Sequence, residues 1–493
     1  MFPSGEGFAT LRAVPRSAPL DAVVVGSGPN GLAAAIELAR QGCSVEVLEA
    51  HETVGGGMRS SERTLPGFVH DHCSACHPMG VLSPYFRQLP LEQHGLRWLH
   101  PEISVAHPLP DAPSVLLSRS LGETAAGLGE DADAYIRLLR PLLKTPHRLL
   151  EDLLGPLRIP KDPLAMLRFG LKALPSASHL ARSTFRGPRA RALVAGCAAH
   201  ATLPLDEPLT SAMALVFLLT GHLTDWPVVA GGSQALADAL ASYLKSLGGE
   251  IRLGHSVKSL ADLPESRAVI FDTSPRTLLE VASSALPSTY RARVRRFRYG
   301  PGVFKMDFAL DGPIPWTDPD TARASTVHLG GPLEQVEASE RAMWRGEVSR
   351  APFVMIVQAS GLDTSRAPEG KHTGYAYIHV PHGSEEDYSV LVERRIEAFA
   401  PGFQGRILAR AHVTAAEHER YNPNWVGGAI SGGVTDALQL FFRPVARLDP
   451  YRTPNPRLYL CSASTPPGGG VHGMSGYFAA RSVLRRLRGI SSP

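Results

Sequence analysis

The sequence predicts an α/β protein: a doubly wound, Rossmann-like parallel sheet, with a discontinuous second domain of mixed or antiparallel sheet plus a helical cap. Three observations carry this. Asp21 to Val25 is a short apolar, β-branched run that stops at Gly26, and a Gly-rich turn and an Ala/Leu-rich helix follow it. A comparable strand-to-helix piece closes the chain, from Arg457 to Ser462 through the Pro- and Gly-rich turn ending at Gly473 into a helix over Tyr477 to Leu487. Between them the pattern switches, first to Pro-broken helical stretches and then to strand-like runs.

The elements follow in order. The first helix is expected over Asn30 to Gln41, stopped by Gly42, and Cys43 to Leu48 reads as the second strand of a right-handed βαβ unit. From Leu89 to about Trp226 helices dominate, as in Ala132 to Leu143 and Pro208 to Leu219. After Gly231-Gly232 a helix is expected through Leu247, then returning strand at Glu250 to Leu253 and His255 to Leu260. Val303 to Leu310, Phe353 to Ala359 and Thr373 to Val380 suggest an antiparallel sheet.

Composition removes several function classes. Of 493 residues, 44% are hydrophobic and 19% charged, which is enough to bury large cores. Fifty basic and forty-six acidic side chains leave +4, too weak a field to argue for nucleic acid as a partner. Five cysteines suit a reducing compartment rather than a disulfide scaffold. The longest apolar stretch, Ala212 to Leu219, is short for a membrane span and reads as a buried helix. Met1 to Leu20 lacks the apolar centre of a secretory signal, so a cytoplasmic location is expected. Arg291 to Arg298 reads as a solvated basic face, with peripheral membrane contact left open.

The chemistry sits in the glycines. Gly26-Ser27-Gly28-Pro29-Asn30-Gly31 stands where a dinucleotide fingerprint must stand: one glycine for the tight turn, one for close approach to a pyrophosphate, one for helix–strand packing. The helix start then offers free N–H groups and a positive dipole end to phosphate. Eighteen residues after Gly31, Glu49 ends the second strand, where an acid accepts ribose hydroxyls. Ala50 follows, and then a second glycine cluster, Gly55-Gly56-Gly57-Met58, whose bare backbone suits the long second half of a flavin dinucleotide. A second GxGxxG is absent, since Ala230 to Gln234 lacks the spacing, which argues against a separate nicotinamide site.

At these motifs, and at WPVVAGGSQALADAL, GPGVFKMDFALDGPIPW and NPRLYLCSASTPPGGGVHGMSGY, the chain from Asp21 to Arg486 resembles the phytoene-desaturase-like flavoproteins, a branch of the FAD-dependent amine-oxidase superfamily. The resemblance implies FAD as cofactor, Glu49 on the adenosine ribose, and Gly55, Gly56 and Met58 along the ribityl and pyrophosphate. It also implies Val257 with its backbone at adenine, and Gly473 and Met474 facing the flavin. Lys305 is similar to the strand lysine that amine oxidases hold near flavin N5 through a water. The amine-oxidase form has Arg where this chain has Thr53 and Gly57, which puts amine oxidation itself in doubt.

The remaining candidates are weaker. His472, beside Gly473, is a catalytic candidate together with Lys305. Cys73-x-x-Cys76-His77 matches patterns for haem attachment, zinc or a redox disulfide, but two ordinary thiols is the favoured reading and no metal is expected. The FAD-binding domain is expected from residues 20–88, 228–300 and 440–493, the substrate and cap domain from 89–227 and 301–439, with an N-terminal tail at 1–19. The expected activity is hydride abstraction from a C–H bond of an apolar small molecule, with oxygen, a quinone or another carrier taking the electrons. Two other readings stay open: a polyene isomerase or saturase using reduced flavin, and a non-catalytic flavin-bound scaffold for an unidentified protein partner.

Overall fold

A computed structural model describes residues 18–490, so nearly all of the expected N-terminal tail lies outside the described residues. Five parallel strands form one sheet in the order Leu458–Leu460, Ser266–Phe271, Leu20–Val25, Val45–Leu48, Glu250–Arg252. The first strand is central, and its side chains alternate between two cores. Ala22 and Val24 face a core shared with the helices Pro29–Arg40, Ser233–Ser246 and Met474–Leu487. Leu20, Val23 and Val25 face a core shared with Pro275–Ala282 and Ser288–Val294. A strand covered on both faces reads as a continuous apolar run, which is why it was visible in sequence.

The second sheet has seven strands, ordered Ile407–Val413, Gly302–Leu310, His372–Val380, Val354–Val357, Ala324–Leu329, Ile103–Leu109, Ala112–Ser118. It is antiparallel apart from the parallel pair of Ala324–Leu329 with Ile103–Leu109. Helices between residues 121 and 224 cover it, including the buried Thr210–Thr224.

Two expectations need correction. Residues 89 to 226 are not all helical, because a hairpin at 103–118 turns through Pro110 and Asp111. Its prolines read as helix breakers, yet Pro113 is tolerated because its strand is at the sheet edge. His255 to Leu260 forms no strand. His255 N–H donates to the Glu49 carbonyl at 2.8 Å, and the Asp262 carboxylate accepts Lys258 and Ser259 N–H at 2.8 Å each, closing a capped turn instead.

Candidate functional site

The carboxyl ends of the parallel strands open where the central strand meets Ser266–Phe271, the switch point at which open α/β sheets bind ligands. A continuous cavity of about 840 Å³ begins there and runs under the second sheet and the helical cap. Of the residues singled out from sequence, Gly26, Ser27, Gly28, Pro29, Asn30, Glu49, Ala50, Gly56, Gly57, Val257 and His472 line it.

The two glycine clusters touch each other. A Cβ on Gly56 would lie 3.1 Å from the Gly28 Cα, so backbone meets backbone with no room for side chains. Gly26 holds φ 101°, the turn conformation that L side chains rarely adopt. Glu49 gathers the loop: its Oε2 accepts Ser27 N–H at 2.9 Å and the Ser27 hydroxyl at 2.5 Å, and its Oε1 accepts His51 N–H at 2.9 Å and the Arg59 guanidinium at 2.8 Å. Both carboxylate oxygens are therefore engaged by protein. Arg59, also bonded to the Thr53 carbonyl at 3.1 Å, brings a cation to the loop from a position other than the two where the amine-oxidase pattern has Arg.

Several expected contact residues stand behind the wall. Gly31 is a packing glycine, since a Cβ there would lie 2.1 Å from the Gly26 carbonyl oxygen. Gly55 faces Ala237, and Met58 is fully buried in the core between the helices. Gly473 abuts Phe86 and Ala33, and Met474 is a core residue whose N–H donates to His472 Nδ1 at 3.0 Å. The last helix thus turns an imidazole, not a bare N–H, to the cavity. Because Nδ1 accepts, Nε2 carries the hydrogen, and the ring lies against the Gly468 and Gly469 backbone. Burial pushes His472 down to about 4, so the ring is neutral near pH 7.

Sequence reasoning missed Asp272. It follows the buried strand Ser266–Phe271 and sits directly beneath the first glycine loop, where its Oδ2 accepts Gly31 N–H at 2.8 Å. A Cβ on Gly28 would lie 2.6 Å from the same oxygen. Burial, with the Glu49 charge nearby, raises the carboxyl to about 7 despite those backbone hydrogen bonds. An acid ending a buried strand at the switch point was the available signal.

The substrate-side wall comes from one strand face. Tyr375, Tyr377 and His379 alternate along His372–Val380 and all line the cavity. The Tyr375 hydroxyl donates to the Cys73 carbonyl at 2.6 Å. His379 Nδ1 lies 2.8 Å from Glu340 Oε2, and a carboxylate only accepts, so Nδ1 carries the hydrogen. His200, Phe217, Trp226, Met213 and Met355 continue the wall, largely apolar and aromatic. Burial pushes His200 down to about 3.

Lys305 is not at this wall. It is 1% exposed, ion-paired with Asp307, and its ammonium lies 4.5 Å over the Tyr375 ring. Arg63 at 2.9 Å and His70 at 3.6 Å share Asp307. Cys73 and Cys76 line the cavity as free thiols that burial pushes up to about 12, which makes them poor nucleophiles.

These residues fit a flavin dinucleotide. A Cβ on Gly26 or Gly28 would meet Asp272 at 2.9 and 2.6 Å, and the buried Asn30 Oδ1 and His77 Nδ1, which find no hydrogen-bond partner among the described residues, belong to residues lining the cavity. Fold and cleft define a class: the chain is an FAD-dependent oxidoreductase. Residues 24–89 match the NAD(P)-binding Rossmann-like domain. The chain is 29% identical to pyridine nucleotide-disulfide oxidoreductase domain-containing protein 2 of Rattus norvegicus, over 95% of this chain and 94% of that one. It is 23% identical to a 4,4'-diapophytoene desaturase of Staphylococcus aureus, over 91% and 95%. An oxidoreductase from Methanosarcina mazei shares its fold, with TM-score 0.63 and 17% identity over 94% and 100%. Within that class the chain is similar to the phytoene-desaturase-like flavoproteins, at 22% and 23% identity to a limonene dehydrogenase subunit and a diapophytoene desaturase.

Proposed function

We propose that this chain dehydrogenates an apolar small molecule, removing hydride from a C–H bond to leave C=C or C=N, with oxygen, a quinone or another carrier as the final electron acceptor. The observation that carries the reading is the continuous cavity joining the glycine cradle to a largely apolar, aromatic chamber under the cap. The desaturase named among its relatives acts on an apolar polyene, in agreement with such a chamber.

Bound FAD supplies the two-electron acceptor for the hydride. Ser27, Gly28, Pro29 and Asn30 hold the pyrophosphate region, and Gly56 and Gly57 let the backbone lie against the cofactor. Glu49 takes the ribose by releasing one of its protein donors, and Val257 sits at the adenine end. His472, neutral and lining the cavity, would stand beside the flavin. When the substrate C–H bond breaks, its electron pair leaves as hydride, and a second hydrogen leaves as a proton. His379 takes that proton at Nε2, and Glu340 stabilises the resulting imidazolium. Tyr375 and Tyr377 orient the substrate and exclude water. Lys305 acts through Tyr375 and is a positioning residue.

Anaerobic mixing of the FAD-loaded protein with a panel of polyenes, terpenes and amines tests the reading. Bleaching of flavin absorbance by substrate alone supports it. Conversion that requires pre-reduced flavin rejects it.

A further inference from the structure

Three imidazoles run in file behind the substrate-side wall. Val327 pairs with Ala106 between the parallel strands Ala324–Leu329 and Ile103–Leu109, so the next residues, His328 and His107, stand side by side, both fully buried. His107 Nε2 lies 2.7 Å from the Gly331 carbonyl oxygen and therefore carries the hydrogen. His328 Nε2 lies 3.0 Å from Nε2 of His200, which caps the helix Pro188–Ala199 and lines the cavity. Gly196 of that helix makes room for the file, since a Cβ there would lie 2.7 Å from Nδ1 of both His107 and His328. Those two Nδ1 atoms have no partner among the described residues, a cost that apolar side chains at the same positions would not carry.

The file holds its first member in place and keeps it neutral. The His200 ring lies 4.3 Å from Phe217 and 5.6 Å, edge-on, from Trp226, and both of these also line the cavity. No carboxylate pairs with any of the three imidazoles among the described residues, whereas His379 has Glu340 at 2.8 Å. Burial pushes His107 down to about 4 and His200 to about 3, and it lowers His328 further in the same direction. His379 is thus the imidazole equipped to take a proton, and His200 is equipped only to hydrogen-bond. Its Nε2 is committed to His328, and its Nδ1 makes no hydrogen bond among the described residues.

A substrate that filled this chamber with hydrocarbon alone would strip water from Nδ1 and return nothing. A hydroxyl both donates and accepts, so it pairs with Nδ1 in either tautomer of the file. A charged group would enter against the same burial that keeps His200 neutral.

We propose that the substrate is an apolar molecule carrying a hydroxyl, which His200 Nδ1 binds, with His328 and His107 as positioning residues that fix the His200 ring. This deepens the function proposed above and rests on it for the placing of substrate in this chamber.

The test uses the FAD-loaded full chain and two probes: geraniol, and the diene of the same carbon skeleton with methyl in place of the hydroxymethyl group. Calorimetric titration under anaerobic conditions should show geraniol binding at least tenfold more tightly than the diene. His200→Phe should bind the two probes equally. His328→Phe should lower the preference at least threefold with diene affinity unchanged, and His328→Gln, whose amide can pair with His200 Nε2 in either tautomer, should restore it. Melting temperature and flavin loading of each variant identify any that fail to fold, and His200→Phe, on the cavity wall, tests the assignment without disturbing the two fully buried rings. Equal affinity of the parent chain for both probes, no binding of geraniol, or a preference that survives His200→Phe overturns the proposal. Binding is read without turnover. Preference for geraniol without flavin bleaching by any substrate retires the dehydrogenation and keeps the hydroxyl site, while bleaching without that preference does the reverse.

Discussion

Asp272 offers the sharpest perturbation, because a titratable carboxyl sits under the loop proposed to take a dianionic pyrophosphate. Its carboxyl is raised from 3.8 to about 7 by burial and by Glu49. That is about three units at roughly 1.4 kcal/mol each, so ionising it in the fold costs about 4 kcal/mol more than in water. The sign follows from a raised folded value. The stability tied to the neutral form is fully present below about pH 4 and is lost as pH rises to about 7. Pyrophosphate adds negative charge beside it, so FAD binding favours the neutral form and takes up a proton above pH 7. The expected apparent Kd of the deflavinated protein for FAD rises roughly tenfold per pH unit from pH 7 to 9. Asp272→Asn keeps an oxygen to accept Gly31 N–H and removes the titration, so its Kd should be nearly flat over that range. Calorimetric titration of FAD at half-unit pH steps reads both. Equal slopes for parent and variant would refute the reasoning, because the dependence would then lie in a group other than Asp272.

Three further outcomes are expected. Glu49→Ala leaves Ser27 N–H, His51 N–H and Arg59 without their acceptor and should cut the FAD retained through gel filtration, so a fully loaded variant contradicts its assignment. Lys305→Met strands Asp307 with Arg63 and a His70 that burial holds near 4, and it should lower unfolding free energy by about 3 kcal/mol in denaturant melts while FAD stays bound. A change in flavin kinetics that is not reversed by Lys305→Arg would argue against its acting through Tyr375. His379→Gln should keep FAD affinity yet slow substrate-driven flavin reduction at least tenfold, about 1.4 kcal/mol of barrier, and an unchanged rate in stopped flow removes it as the proton acceptor.

The nucleotide half was legible because its signals are local. Leu20–Val25, the glycine turn, the helix Pro29–Arg40 and Glu49 lie within one βαβ unit, where strand burial and turn chemistry write directly into residue type. Gly31 packs helix against strand as its place in the turn predicts, but Met58 and Met474 stand in the core: an apolar residue near a ligand loop looks the same whether it touches ligand or packs helix against strand.

By itself, then, the chain order determined a flavin-type cradle and an apolar second domain, since these depend on periodicity and on backbone conformations only glycine adopts. Only the tertiary structure decided which polar groups act together. Asp272 reaches Gly31 across 241 residues, and His379 finds Glu340 across 39. Such pairings are set by strand order and helix docking, and no local pattern records them.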